Sequence, residues 1–131
     1  MTLMTIDDPA VLAEVESAFA AYETALMTND LDALDALFWH APQTVRIGPG
    51  QNLYGIDEIR EFRANRPGGS PPRRLLKVVI TSFGADFATA TAEFQRDGTA
   101  VPGRQSQSWV RLPGIGWRVV SAHVSMLGNG H

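Results

Sequence analysis

Hydrophobic residues change their spacing near the middle of the chain, and this change most constrains the fold. Before Pro67, apolar positions recur every three or four residues, which is typical of amphipathic helices. After Pro72, four segments rich in β-branched and aromatic residues are separated by turns, one of them the strong hairpin signal Asp97-Gly98. Helices followed by an antiparallel meander, rather than alternating β and α units, predict an α+β fold.

Caps, breakers and periodicity place the predicted elements. Asp7-Asp8-Pro9 begins a helix that runs over 11–27, and Asn29-Asp30 begins a second helix. This second helix is predicted over 31–38. The other predicted elements are strands at 44–48 and 53–54, a third helix over 57–65, and strands over 74–83, 87–96, 103–112 and 117–127. The segment 67–72 is a loop rather than a linker, so we expect one domain over residues 1–131.

Composition excludes several classes of function. The net charge of −3 argues against binding to nucleic acids or anionic membranes, which requires a basic surface. The chain has no cysteine, so disulfides and Cys-ligated zinc are excluded. We see no signal peptide and no apolar run of transmembrane length, and therefore expect a cytoplasmic protein. Nucleotide-binding loops, hydrolase serine motifs and metal-ligand spacings are missing, so we expect neither a cofactor nor a metal.

Arg46 is the most informative single residue. Its neighbours Val45 and Ile47 point to the opposite side of a short strand, so Arg46 is expected to point into an otherwise apolar interior. A buried guanidinium needs a partner. A carboxylated ligand, which a guanidinium binds with two parallel hydrogen bonds, would supply one. A structural ion pair with Glu93 or Glu23 would satisfy Arg46 equally well.

Tyr22 lies on the apolar stripe of the first predicted helix. It is either a core aromatic residue or a group that orients or protonates a polarised carbonyl at the mouth of a pocket. Trp39 ends the second helix just before the strand of Arg46, and is either core or pocket wall. Arg63 and Arg66 lie three residues apart near the third helix's C-terminus, where they either add positive potential to the pocket or are solvated.

Two further segments carry candidate ligand-binding residues. In the strand 103–112 we expect Gln105 and Gln107 to face inward, where amide groups suit a urea-like ligand that offers both donors and acceptors. A solvated edge strand is the alternative. His123 alternates with Trp117 and Ser125 along the last strand, which predicts a place on the pocket-lining face. We assign no role to His40 or His131.

A set of local motifs then suggests a family. The motifs are Tyr22-Glu23, Asn29-Asp30, Leu37-Phe38-Trp39, Thr44-Val45-Arg46, Phe62-Arg63, Arg66-Pro67, Glu93-Phe94, Gly103-Arg104-Gln105-Ser106-Gln107 and Ala122-His123-Val124-Ser125. Together with the order of the elements, they resemble the AtzH-like family, a SnoaL-like branch of the NTF2-like superfamily found beside amidases in cyanuric acid and oxalurate catabolism. The resemblance implies a cone of N-terminal helices packed on a curved antiparallel sheet. It also implies conversion of 1,3-dicarboxyurea to allophanate.

We therefore expect a cofactor-free hydrolase of the amidase class, acting on a small carboxylated urea, with Arg46 and Tyr22 as catalytic residues. Hydrolysis and loss of carbon dioxide both remain open. The alternative is a non-catalytic ligand-binding module that assists a partner amidase. A steroid-type isomerase is the third and weakest candidate, because it needs an inward aspartate base. The row Val120, Ala122, Val124 and Met126 is expected to form an apolar outer face, which predicts a homodimer.

Overall fold

Three helices occupy the first half of the chain in the computed structural model, which describes residues 3–128. Helix α1 spans Pro9–Met27, α2 spans Leu31–Ala36 and α3 spans Ile56–Asn65. The Asp8 carboxylate accepts hydrogen bonds from two free amides in the first turn of α1, and the Asp30 carboxylate accepts one, from the Ala33 amide of α2. Both caps were predicted from sequence. None of the described helices combines the length and apolar character needed to cross a membrane.

Six strands form one curved sheet. Their bounds are β1 Val45–Ile47, β2 Asn52–Tyr54, β3 Arg73–Phe83, β4 Phe87–Arg96, β5 Pro102–Leu112 and β6 Gly116–Met126. The order across the sheet is β2-β1-β6-β5-β4-β3. The four long strands form the predicted antiparallel meander, and β1 extends it by pairing in parallel with β6. The predicted α+β class is confirmed.

The predicted boundaries differ from the observed ones mainly at the second helix. It ends at Ala36 rather than at Phe38, because Phe38 forms a parallel bridge with Val119 and the following amide donates to the Val119 carbonyl. This local pairing ties the end of α2 to the sheet. Tertiary contacts of this kind override helix propensity, which is a weak signal at an element's end.

The helices cover one face of the sheet, and the core lies between them. The buried positions of α1, among them Val15, Phe19 and Tyr22, pack against inward residues of the strands. On β4 every second residue from Ala88 to Phe94 is buried, as the period of two requires. The opposite face of the sheet is solvent-exposed at many positions, including Glu93 and Arg104.

An irregularity in β6 overturns one sequence prediction. The pairing of β5 with β6 shifts between Ser108 and Trp109, and Val120 is the extra residue on β6. Such a bulge reverses the alternation of side chains along a strand. Ala122 and Val124 are therefore buried on the inner face, at 5% relative exposure each. The prediction of an apolar outer row formed by Val120, Ala122, Val124 and Met126 is wrong. It assumed that side chains alternate without interruption along β6, and the bulge interrupts them.

Candidate functional site

Two arginines share one aromatic ring at one end of the helix-covered face. The guanidinium carbons of Arg46 on β1 and Arg66 at the end of α3 each lie 5.3 Å from the centre of the Phe62 ring. Arg46 is 8% exposed and points inward, as predicted. Gly48 lies beside it, and a Cβ there would meet the Gln51 side chain first and then Arg46 Nη1, at 3.3 Å.

A second pair of arginines shares the ring of Phe94. The guanidinium carbon of Arg73 lies 4.3 Å from the centre of that ring, and that of Arg96 lies 5.5 Å from it. Gly103, opposite Phe94 on β5, lets the ring lie across the strand, because a Cβ at Gly103 would come within 2.2 Å of Phe94 Cζ. The glycine is thus a packing requirement of the site.

Two carboxylates neutralise only part of this charge. Arg73 is paired with Glu23, and Arg63 Nη1 lies 3.1 Å from the Asp35 carboxylate while stacking 4.2 Å from the centre of the Phe38 ring. Glu93, one of the two partners considered for Arg46, lies on the exposed face, and Glu23 is engaged by Arg73. The structural ion pair considered for Arg46 is therefore not formed. Arg63 is 5% exposed, so the solvated alternative for this residue is wrong.

Several buried hydrogen-bonding atoms of the site have no partner within residues 3–128. They are Arg46 Nη1, Arg66 Nε, Arg96 Nε, Gln105 Nε2 and Gln107 Nε2. All five are nitrogens, and each can donate a hydrogen bond. An unpaired buried donor is costly, and native proteins rarely leave one without a partner. All five atoms therefore need a hydrogen-bond acceptor, preferably an anionic one.

The electrostatics agree with this geometry. The pKa of Arg46 is lowered to about 10: burial is the largest cause, Tyr22 opposes it, and the positive charges of Arg63, Arg66 and Arg96 add to the lowering. Burial likewise lowers the pKa of Arg63 and Arg66, and the Tyr22 phenol again opposes it. These arginines thus lie close to one another and to Tyr22, in a region poor in counter-charge.

Both glutamines face inward, as predicted. Gln105 is 1% exposed and Gln107 is 3% exposed. The Gln105 carbonyl oxygen accepts from Arg73 Nη2 at 3.2 Å, and the Gln107 carbonyl oxygen accepts from the Trp109 indole at 3.1 Å. Because each oxygen is engaged, each NH2 group is directed away from it and is left without a partner among the described residues. The solvated edge strand considered for this segment is excluded.

Tyr22 and the adjacent cleft complete the site. Tyr22 is buried, and its ring centre lies 6.2 Å from that of Phe38. Beside the arginines, a cleft of about 520 Å³ is lined by Leu53, Phe62 and Arg66 and also by two glutamates of α3, Glu58 and Glu61. The cleft shares Phe62 with the stacked arginines, so it lies next to Arg46. Its size suits a small ligand.

Two predicted ligand-binding residues lie elsewhere. Trp39 lines a different cavity of about 360 Å³, together with His40 and Arg118, and is not brought to the arginines. His123 is exposed on the outer face, opposite Ser106 and Ile47. Its predicted inward orientation is wrong, because the bulge in β6 reverses the alternation on which it was based. His131 lies outside the described residues.

Sequence reasoning missed Arg96 and Arg73 and gave Arg66 only a minor role. For Arg96 a signal was present, because it continues the inward alternation of Ala92 and Phe94 on β4. For Arg73, the pairing with Glu23 across 50 positions of sequence carries no local signal. Within residues 3–128, no group of three or more histidine, aspartate or glutamate side chains is placed to hold a metal ion.

Comparisons with known proteins agree with the fold. A model of the AtzH-like family matches residues 4–130. A structure from Pectobacterium atrosepticum, described as a protein of unknown function, is 51% identical, with a TM-score of 0.91 over 94% of this chain and 95% of that one. A cystatin-like fold protein from Burkholderia xenovorans is 45% identical, with a TM-score of 0.92 over 95% and 98%. No curated protein matches.

More distant structures show the fold alone. An NTF2-like superfamily protein from Salmonella enterica is 24% identical, with a TM-score of 0.76 over 93% of this chain and 94% of that one. Other similar structures, at 16% and 21% identity, are described as an NTF2-like protein of unknown function and a ketosteroid isomerase-like protein. The predicted NTF2-like architecture is thus confirmed, and the reaction is not addressed by these neighbours.

Proposed function

The chain belongs to the AtzH-like family, and from this premise we propose that it is a cofactor-free enzyme that removes one terminal carboxyl group from 1,3-dicarboxyurea to give allophanate. Both compounds are small carboxylated ureas, and the substrate carries a carboxylate at each end. The proposal takes the substrate from the family resemblance. It takes the roles of the residues from the site.

One observation carries the proposal. Donors on Arg46, Arg66, Arg96, Gln105 and Gln107 are buried and have no partners among the described residues. A dicarboxylated urea offers acceptors of the kind these groups require: two anionic carboxylates and a carbonyl oxygen. Within residues 3–128, the five inward arginines of the site, counting Arg63 and Arg73, form ion pairs with only two carboxylates, Glu23 and Asp35. A dianionic ligand would supply most of the missing negative charge.

The proposed chemistry uses charge stabilisation and one proton transfer. The bond between a terminal carboxyl carbon and its nitrogen breaks, and carbon dioxide leaves. The electron pair stays on nitrogen and spreads onto the urea carbonyl, where Arg46 and the two glutamine amides stabilise the developing charge. The nitrogen takes a proton from the Tyr22 phenol, which regains one from solvent. Arg46 and Arg66 together hold one carboxylate and Arg96 holds the other, which orients the substrate.

This form of the reaction fits the site better than hydrolysis by an activated water. A general base is needed to take a proton from water. The inward carboxylates of the site, Glu23 and Asp35, are both held in ion pairs with arginines. His123 lies on the other face of the sheet. The same shortage of a free carboxylate base argues against the isomerase alternative, since both inward acids are engaged by cations.

The non-catalytic alternative has a specific observation in its favour. Every donor of the site that lacks a partner among the described residues would also serve a protein that only binds and protects a labile dianion for a partner amidase. Turnover by the isolated protein separates the two functions, because an enzyme acts alone and an accessory module changes only the behaviour of its partner.

The test is the release of carbon dioxide and allophanate from freshly generated 1,3-dicarboxyurea. We expect wild type to exceed the spontaneous rate, and Arg46→Ala and Tyr22→Phe each to lower the rate by about a hundredfold or more. Arg104→Ala and Tyr54→Phe are matched controls, because both parent residues are exposed. Both controls should keep the wild-type rate.

The outcomes separate the hypotheses. A wild-type rate no higher than that of buffer contradicts the enzyme and favours the binding module, for which the partner amidase is then added. A wild-type rate that survives Tyr22→Phe contradicts the role of Tyr22 as proton donor.

We also propose that the protein forms a homodimer and acts beside an amidase. A monomeric mass by light scattering at micromolar concentration would contradict the dimer.

A further inference from the structure

We propose that the site recognises both ends of a short dianion that carries a carbonyl between its two carboxylates. Arg46 and Arg66 bind one carboxylate, and Arg96 binds the other. The NH2 groups of Gln105 and Gln107 bind the carbonyl oxygen between them. This recognition mode rests on the proposed function for the identity of the natural ligand, but the residues that it assigns are tested independently of turnover.

The first end is defined by two cations on one ring. The guanidinium carbons of Arg46 and Arg66 both lie over the Phe62 ring, each 5.3 Å from its centre. Stacking leaves the N–H edge of a guanidinium free to bind a carboxylate. Arg46 Nη1 and Arg66 Nε are buried and have no partner in the described part of the chain. A carboxylate between the two would relieve their repulsion and satisfy both donors.

The second end is defined by Arg96. It shares the Phe94 ring with Arg73, but Arg73 is already held by Glu23 and by the Gln105 carbonyl oxygen. Arg96 Nε is buried and finds no acceptor among residues 3–128. Of the two cations on this ring, Arg96 is therefore the one with a donor to offer to a ligand.

The middle of the site is defined by two oriented amides. The Arg73 and Trp109 donors hold the carbonyl oxygens of Gln105 and Gln107, respectively, so the orientation of each amide is set by a neighbour. Both NH2 groups are then directed into the interior without a partner in the described structure. A carbonyl oxygen has two lone pairs and can accept from both.

Strand register places these groups in one diagonal line. Arg46 pairs with Ala122, which lies opposite Gln107 on the next strand. Gln105 lies two residues farther along the same face. Arg96 lies farther on in the same direction, four residues past Ala92, which is the partner of Gln105 on β4. The order of donors across the face is thus arginine, amide, amide, arginine, matching a ligand with carboxylate, carbonyl and carboxylate in sequence.

Three probes test each part of this pattern by calorimetric titration. 3-Oxoglutarate has two carboxylates and a central carbonyl; because it is a β-keto acid and can itself lose carbon dioxide, each titration is checked for release of carbon dioxide. Acetoacetate lacks one carboxylate, and glutarate lacks the carbonyl. We expect wild type to bind freshly prepared 3-oxoglutarate about tenfold or more tightly than either of the others, because a hydrogen bond to a charged group contributes that much.

Two variants assign the contacts. Arg96→Met should reduce the preference for 3-oxoglutarate over acetoacetate to less than about threefold, while the affinity for acetoacetate changes less than about twofold. Gln107→Leu should remove the preference for 3-oxoglutarate over glutarate and leave glutarate binding intact, which also shows that the variant is folded. Arg104→Met, an equal charge change on the exposed face, should leave all three affinities unchanged.

If Arg96→Met lowers the affinities for 3-oxoglutarate and acetoacetate equally, or lowers neither, the assignment of the second end is overturned. The proposed function fails separately. If the selectivity pattern is present but 1,3-dicarboxyurea is not turned over, the recognition mode stands and the enzyme does not. If turnover is present and Arg96→Met leaves the selectivity unchanged, the enzyme stands and the recognition mode does not.

Discussion

The inner face of the sheet has two regions of opposite character. Around Trp109, Val119 and Ala88 it is apolar and fully buried, and the Trp109 indole N–H is satisfied by Gln107. Around Arg46 and Arg96, burial is nearly as deep in places, yet donors are left without partners in the described structure. One region of the inner face therefore forms the apolar core, and the other region presents donors to a ligand.

The apolar region stabilises the fold, whereas the cationic region destabilises it. Apolar burial stabilises the fold by roughly 25 cal/mol for each Å² removed from water. Clustered cations with unpaired donors do the reverse, and they persist in folded proteins mainly where a ligand is to be bound. Substitutions in the two regions are therefore expected to change the free energy of unfolding with opposite signs.

The largest effect is expected in the apolar region. Leu34→Ala should lower the free energy of unfolding by about 2–5 kcal/mol, because the side chain is completely buried and its removal leaves a cavity. Urea denaturation measures this. Leu76→Ala, at a position with 46% exposure, is the matched control and should change it by less than about 0.5 kcal/mol. Equal effects of the two would contradict the location of the core.

A smaller loss is expected at the boundary of the two regions. Gly103→Ala should destabilise by about 1–3 kcal/mol, because its Cβ would overlap the Phe94 ring and force it to move. The same displacement should weaken anion binding through Arg96. Gly50→Ala is the control, since no atom lies within 4 Å of a Cβ built there. Thermal unfolding that fails to distinguish the two variants would show that the ring is not held by this contact.

The sign should reverse in the cationic region. Arg46→Met should raise the free energy of unfolding of the ligand-free protein by about 1–2 kcal/mol, because it removes a desolvated charge and its repulsion with neighbouring arginines. Arg104→Met on the exposed face should have almost no effect. A destabilised Arg46→Met would mean that Arg46 has a structural partner after all. Added 3-oxoglutarate should stabilise wild type and not this variant.

The smallest effect is the pH dependence of that gain. The pKa of Arg46 is lowered, mainly by burial, to about 10, well below that of a free guanidinium, so above pH 10 the unfolded state binds more protons at this residue than the folded state does. The unfavourable contribution of Arg46 is therefore complete below pH 10 and shrinks above it. The difference in unfolding free energy between Arg46→Met and wild type should be constant from pH 7 to 9 and smaller at pH 10.5. An unchanged difference would contradict the lowered pKa.

Much of the site could be predicted because strands alternate. Arg46 between Val45 and Ile47, and the two glutamines on one face of β5, were placed correctly from a period of two. The same rule failed for His123, because the bulge at Val120 has no reliable sequence signal. Trp39 was expected near Arg46 because the two are close in sequence, whereas the bridge of Phe38 to Val119 places it at another cavity.

The sequence by itself determined the fold class, the caps of α1 and α2, the meander and the inward orientation of Arg46, since each depends on residues within a few positions of one another. Only the tertiary structure decided which charges remain unpaired. The pairing of Glu23 with Arg73 and of Asp35 with Arg63 joins residues far apart in the chain and leaves Arg96 without a carboxylate partner in the described structure. Charge pairing acts through space, so a local pattern of residues does not reveal it.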